Sequence, residues 1–456
     1  MYHYHTHHKS QAMDMTSGSI PRLLLAFALP LLLGNLFQQL YNTVDSLVVG
    51  NFVGTQALAA VGSTTSIINT LVSFFNGVSI GAGVIISQYY GAHDDNRLHL
   101  AIETTMAITL FCSVILTVLG CTTVPLMLRL MSTPEDVLKA ASVYLRIYFS
   151  GISGLLIYNM GSGILRAVGD TRRPLMFLCF SSLLNIGLDL LFVLVFRLGI
   201  AGVGYATIIS QFLSAILILF LLTKSKDAYR LSWRDLKIEN YILKRILIVG
   251  LPTGLQQALT SFSNVFVQSY INGFGSSCMA GWSCYTKIDQ FIMLPLRSMA
   301  QAATTFVSQN VGARNIPRAK KGTMTALLMA VAITFSGASL LWLFAPWMVH
   351  LFNQEQMVVH YGVLFLRLCV FLMLFSCVNQ VLAGSLRGIG NAKVPMIIML
   401  SSFVLFRQIY LFIITRIFNT AAVVGFGYPA GWIISAVLMT LYYLFSKWEK
   451  KLDLQN

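Results

Sequence analysis

The sequence predicts an all-α integral membrane protein: 12 transmembrane helices in two parallel-repeat six-helix bundles. Three observations carry that expectation. The 456 residues are 56% hydrophobic and only 10% charged, whereas a soluble chain carries about a quarter charged residues. Mean hydropathy is +0.73. Apolar runs long enough to cross ~30 Å of hydrocarbon, which takes roughly 20 residues, recur along the whole chain.

In order, the runs fall near 22–49, 56–82, 98–124, 137–165, 174–197, 200–223, 243–271, 278–300, 322–348, 357–386, 394–418 and 422–445. The first reads as a retained span, because the short apolar core and cleavage site of a signal peptide are missing. Little length is left for a soluble domain. A soluble enzyme, a nucleic-acid-binding module and a disordered protein are therefore excluded. No Gly-rich phosphate loop ending in Gly-Lys-Ser/Thr occurs, which argues against a nucleotide-driven pump.

The net charge of +15 is a matter of topology. With the N-terminus placed in the cytoplasm, 22 of the 31 basic residues fall on cytoplasmic segments, as the positive-inside rule requires. Both termini are expected in the cytoplasm, with lipid headgroups as secondary partners and no nucleic acid. The seven cysteines lie mostly within apolar runs without metal-type spacing and read as buried fillers. His3, His5, His7 and His8 form a polar tract, expected to be a flexible tail.

The chain repeats itself. Ser87-Gln88-x-x-Gly91-Ala92 returns as Ser308-Gln309-x-x-Gly312-Ala313, Leu165-Arg166-x-x-Gly169 as Leu386-Arg387-x-x-Gly390, Pro30 as Pro252, and Asn42 as Asn264. The offset is 221 or 222 throughout. Six spans return the chain to its starting side, so the halves share one orientation, and two such halves suit alternating access. The expected divisions are a tail at 1–19, an N-terminal lobe at 20–223, a basic linker at 224–240, a C-terminal lobe at 241–446 and a tail at 447–456.

Polar residues recur at helical spacing inside the runs. Gln38, Asn42 and Asp45 share one face of the first span; Ser181, Asn185 and Asp189 share one of the fifth; Gln257, Ser261, Asn264 and Gln268 stripe the seventh. Lipid offers these groups no hydrogen bonds, so they must face helices or water. An acid at mid-bilayer costs ~2.5–3.5 kcal/mol on insertion scales. Asp45 and Asp189 have no acidic counterparts in the second half, where Val267 and Tyr410 stand. That asymmetry favours a specific task in the first lobe: a carboxylate pair taking up a proton at one face and releasing it at the other. With the carbonyl oxygens of Asn185 and Asn159 the same group suits a hard monovalent cation. Gln38, Asn42, Gln257, Asn264 and Asp289 are the candidate substrate-cavity residues. Lys287, Arg297 and Arg407 are further intramembrane charges.

The motifs together resemble the multidrug and toxic compound extrusion (MATE) family. They are Leu29-Pro30 and Leu251-Pro252, Gln39-Leu40-Tyr41-Asn42-Thr43-Val44-Asp45, the paired Ser-Gln-x-x-Gly-Ala and Leu-Arg-x-x-Gly-Asp/Asn signatures, and Leu184-Asn185-Ile186-Gly187-Leu188-Asp189. The resemblance runs from about Ile20 to Leu444. It implies a secondary active antiporter, not an enzyme, that exports organic, cationic amphipathic compounds across the cell (inner) membrane in exchange for H⁺ or Na⁺, working as a monomer without a cofactor. The DinF-like branch is the nearest match. Its cation site maps onto Asp45, Asn159, Asn185 and Asp189, with Thr207 as neighbour; any metal is Na⁺ at Asp45, Asn185 and Asp189. The NorM-like branch places acids in its seventh and tenth helices, where this chain has Gln256, Gln257, Asn379 and Gln380. A lipid or lipid-linked oligosaccharide flippase of related architecture is the alternative.

Overall fold

The computed structural model describes residues 12–130, 135–418, 420–446 and 448. The four tail histidines and, apart from Ser446 and Trp448, the residues after Phe445 lie outside these. Every regular element among the described residues is helical. Twelve long segments follow one another: α1 Ile20–Val48, α2 Thr55–Gly91, α3 Asp95–Leu130, α4 Glu135–Ser150 with Ile152–Ala167, α5 Arg172–Val195, α6 Ile200–Lys224, α7 Asn240–Asn272, α8 Ser276–Gly312, α9 Ile316–Leu343, α10 Gln356–Cys369 with Met373–Gly388, α11 Lys393–Ile417 and α12 Ala421–Phe445. Eight are long and apolar enough to span a membrane on composition alone. Two more, α4 and α10, are spans bent by 48° and 52°. Helices α7 and α8 have 33 and 37 residues; polar stripes and charges such as Lys287 and Asp289 dilute their apolarity.

The repeat is visible in the backbone. Left-handed residues occur in pairs 221 apart: Gly54 with Gly275, His93 with Arg314, and Gly169 with Gly390. Helix starts are paired likewise. The Asp94 carboxylate accepts the Arg97 N–H at 3.0 Å and Asn315 accepts that of Arg318 at 3.1 Å; Asp170 accepts from Arg173 at 3.2 Å and Asn391 from Val394 at 3.4 Å. The twin signatures are thus turn chemistry. A left-handed residue ends one helix, and an Asp or Asn satisfies orphan donors at the start of the next.

Gly169 is constrained twice, by its φ of +88° and by Met13, whose backbone N and O would lie 2.8 and 2.4 Å from an added Cβ. Met13 N–H donates to the Val168 carbonyl at 3.0 Å, so a strap at 13–15 lies across this turn with Met15 fully buried. Gly169→Ala is expected to destabilise by about 1–3 kcal/mol from strain alone, read as a lowered Tm of the purified protein. An unchanged Tm would show that this turn tolerates a side chain at positive φ and that the strap gives way to it.

The described residues fall into two compact units. One holds Leu33–Leu247 and the residues ahead of Gly18; the other holds Gly18–Leu32 and the residues from Ile248 on. The boundaries fall inside α1 and α7, close to Pro30 and Pro252. Proline removes a helical hydrogen bond and allows a change of direction.

In the first unit, α4 runs alongside α6 in register. Added Cβ atoms at Gly151, Gly154 and Gly161 would meet Ile208, the Phe212 backbone and Ile218 in turn. The basic segment 224–240 is packed, not loose. Tyr229 is fully buried and donates to Asp227 at 2.7 Å while accepting from Arg173 at 2.9 Å. Burial, then the Asp227 carboxylate, holds its hydroxyl up to about 12. The Thr104 hydroxyl donates to the Lys237 carbonyl at 3.4 Å and accepts from the Glu239 N–H at 3.2 Å. Trp233 is exposed and donates to Thr223 at 3.0 Å.

Candidate ion-coupling site

Within the first unit, α5 buries one face. Ser181, Asn185 and Asp189 are 5%, 2% and 0% exposed, while Phe180 and Leu183 on the other side are 56% and 69% exposed. This is the stripe expected from spacing. Asp189 is followed at once by a π-helical turn at Leu191–Val195, and Asp45 lies four residues ahead of another at Val49–Val53. Such turns break the regular ladder and recur near functional groups. Val44, Val48, Val193 and Val203 pack into one apolar cluster with Tyr144. That cluster brings α1, α5 and α6 together one turn from Asp45, Asp189 and Thr207.

Asp45 and Asp189 stand against each other as direct electrostatic neighbours. Tyr41 and Tyr144 lie near both acids, with Tyr148 next to the two tyrosines and beside Gln211. The polar atoms are notable for what does not reach them. Among the described residues, no hydrogen-bond donor is directed at Oδ1 of Asp45, either carboxyl oxygen of Asp189, Oδ1 of Asn185 or Oε1 of Gln211, although all are buried. Buried oxygens without donors are rare and costly. Two facing carboxyl groups, with the Asn185 amide one turn away on the same face of α5, match the needs of a proton or a hard monovalent cation.

Thr207 is 6% exposed, on the same level of α6, with its hydroxyl spent on the Val203 carbonyl at 2.9 Å. Its hydroxyl has no free proton to give. Asn159 is not brought to it. Gly151 and Gly154 are level with Ile208 and Phe212 on α6, and Gly161 with Ile218, so Asn159 sits about nine residues, ~13 Å along the axis, from Thr207. Its carbonyl accepts from Ser79 at 3.0 Å. The α4 contribution comes instead from Tyr144 and Tyr148, one break earlier. Gln38 and Asn42 are exposed on α1, so that of the α1 stripe Asp45 is the member that turns inward. Tyr148 and Gln211 were not anticipated. Gln211, four residues after Thr207 in an apolar span, carried a usable signal.

The second unit has a different polar centre. Val267 and Tyr410, at the positions equivalent to the two acids, are accounted for locally: Val267 is fully buried and the Tyr410 hydroxyl donates to the Val423 carbonyl at 3.2 Å. Asp289 is half-buried and accepts from the Tyr285 hydroxyl at 3.3 Å. Lys287 points elsewhere, over the Phe352 ring at 5.8 Å. Asn264 is exposed and accepts from Arg407 at 2.9 Å, and Gln257 is half-buried. Gln256 accepts from Arg387 at 2.8 Å and Asn379 donates to the Trp432 carbonyl at 3.0 Å. Gln256 is thus occupied in packing, as is the Asn379 amide N–H, while the buried Oδ1 of Asn379 has no donor among the described residues.

A family model described as MatE matches residues 30–191 and again 252–413. The chain belongs to the MatE family. The two matched stretches begin 222 residues apart (252 − 30), which is the internal repeat itself. As a MatE protein the chain is a multi-pass membrane transporter and not an enzyme. It is 31% identical over 439 residues to probable multidrug resistance protein YpnP of Bacillus subtilis (strain 168), covering 96% of this chain and 98% of that one. With probable multidrug resistance protein NorM of Thermotoga maritima the identity is 25% over 443 residues, 95% and 94% of the two chains. The fold matches a solved multidrug resistance MATE family transporter of the MOP superfamily in an outward-facing conformation (TM-score 0.90, 24% identity, 97% and 99% covered). It also matches a MOP superfamily transporter from Pyrococcus furiosus Vc1 (DSM3638) (TM-score 0.89, 24% identity, 96% and 99% covered).

Proposed function

We propose that this MatE protein is a secondary active antiporter that exports organic, cationic amphipathic compounds in exchange for H⁺ or Na⁺. The observation that carries the reading is the Asp45/Asp189 pair, whose buried oxygens face each other without donors. A positive charge is what such a pair lacks. The multidrug-resistance names of relatives such as YpnP and NorM support the substrate class. Carboxylates in the first unit, with amides in α7 and α10 engaged in packing, favour the DinF-like branch. The distribution of Lys and Arg favours both termini in the cytoplasm of a cell (inner) membrane. One chain carries the whole ion group, so a monomer suffices.

In this reading Asp45 and Asp189 hold the coupling ion, Asn185 and Gln211 offer amide oxygens, and Thr207 with Tyr144 and Tyr148 walls the group from lipid. Transport needs an affinity difference between two states. With the pair empty, its negative charge favours a cationic amphipath; with an ion bound, that attraction is lost and the compound leaves. Each charge moved down the membrane potential contributes ~2.3 kcal/mol per 100 mV.

Inverted vesicles loaded with the protein test this. Ethidium uptake is expected under an imposed ΔpH or Na⁺ gradient, and the gradient that drives it names the ion. Uptake indifferent to both gradients would refute antiport.

A further inference from the structure

Arg407 presents a buried cation without a counter-ion among the described residues. It is 3% exposed at the centre of α11 and follows directly on a π-helical turn, Ser401–Phe406. Its Nη2 donates to the Ser263 hydroxyl at 2.7 Å and to Oδ1 of Asn264 at 2.9 Å. The guanidinium lies over the Tyr428 ring, 4.6 Å from its centroid. Its Nε is buried with no acceptor. Among the described residues no carboxylate oxygen comes within 4.0 Å; the two ion pairs found are Arg97–Asp94 and Arg173–Asp170. Asp289 accepts from the Tyr285 hydroxyl and has Arg297 as its charged neighbour.

An uncompensated guanidinium inside a membrane protein is costly, and intramembrane charges are retained for ligands, ions or partners. Neutral oxygens and a ring face hold this one, which leaves its charge unspent. Gln408 braces the same corner, its amide donating to the Ser263 hydroxyl at 3.1 Å. Asn264, the exposed member of the group, belongs to the polar stripe of α7, so the cation meets the surface of its unit there.

We propose that Arg407, with Ser263, Asn264 and Tyr428, forms a subsite for an anionic group, carboxylate or sulfonate, of the transported compound. The substrates it selects are amphipaths that carry an acid group as well as a cation. This rests on the export reading but not on the coupling ion. Arginine suits the task, since its planar fork pairs with a carboxylate through two parallel hydrogen bonds, and Tyr428 supplies an aromatic wall beside it.

The test compares a zwitterionic dye with its neutralised-acid twin: rhodamine B, which has a free carboxylate, and its ethyl ester. Equilibrium binding to the full-length protein in nanodiscs is read by anisotropy without any gradient, so a failure of coupling does not affect it. Wild type is expected to prefer the acid by roughly 10-fold, the scale of one charge-assisted pair. Arg407→Gln is expected to reduce the ratio to about one, and Arg407→Lys to restore part of it. Equal wild-type affinity for the two dyes, or no measurable binding of the acid, overturns the proposal. So does a preference that survives Arg407→Gln. Should that variant not fold, the wild-type ratio alone decides.

Discussion

Asp189→Asn is expected to abolish ion-driven export while leaving the chain folded. The side chain is fully buried, both of its oxygens lack donors, and it faces Asp45. Asparagine keeps the shape, removes the charge and adds a donor that the orphan oxygen of Asp45 can accept. The fold gains a hydrogen bond, whereas the exchange loses the group whose charge must alternate. Gradient-driven ethidium uptake in inverted vesicles is expected to fall to the level of vesicles without the protein. Equilibrium binding of ethidium is expected to weaken toward that of the ion-bound wild type and to lose its dependence on pH or Na⁺. Asp45→Asn is expected to act in the same direction, and the double variant to be no worse than either single one, because the two acids work as a unit. Full export by Asp189→Asn would end the assignment of this pair.

Gly281→Val is expected to be among the most destabilising single changes in the second unit. At this position α8 and α10 approach so closely that an added Cβ would lie 2.6 Å from Tyr361 Cβ and 2.9 Å from both the Gly362 nitrogen and the Val358 oxygen. Two of those three atoms are backbone and cannot swing aside. Overpacking of this kind costs typically about 1–3 kcal/mol, and valine adds two methyl groups to the clash. Trp282, Tyr285 and Phe365, packed with ring centroids 4.9 to 6.4 Å apart beside the same crossing, would have to shift with it. Gly337→Ala in α9 is the control: nothing lies within 4 Å of the added carbon, and removing a mid-helix glycine gains ~1 kcal/mol in propensity. The purified variants' Tm values should therefore move in opposite directions. A Gly281→Val protein as stable as wild type would show that α8 and α10 can part without penalty.

How far the site was legible depended on which interaction positioned each residue. The α5 stripe was legible because helical spacing alone puts Ser181, Asn185 and Asp189 on one face, and the low dielectric of the membrane makes any acid there conspicuous. Gln38 and Asn42 share spacing with Asp45, yet they are exposed while Asp45 turns inward. Period cannot tell which side of a helix meets its neighbours, and the valine cluster at Val44, Val48, Val193 and Val203 decides that. Asn159 was named for its amide oxygen and again by resemblance, and the register of α4 against α6, set by Gly151, Gly154 and Gly161, leaves it about nine residues from Thr207. Tyr144 and Tyr148 gave no sequence signal, since a tyrosine in an apolar run is ordinary.

The sequence by itself determined that this chain spans a membrane, that it does so twelve times, and that it is one six-helix unit written twice. Those properties follow from local composition and from self-similarity, which need no partner residue to be read. Only the tertiary structure decided that Asp45 meets Asp189, that Arg407 has no counter-ion among the described residues, and that the compact units divide near Pro30 and Pro252 instead of at the linker. Each of these depends on the register and approach of helices distant in the chain. Small residues and interlocking side chains set that approach, and it leaves no periodic trace in any one helix.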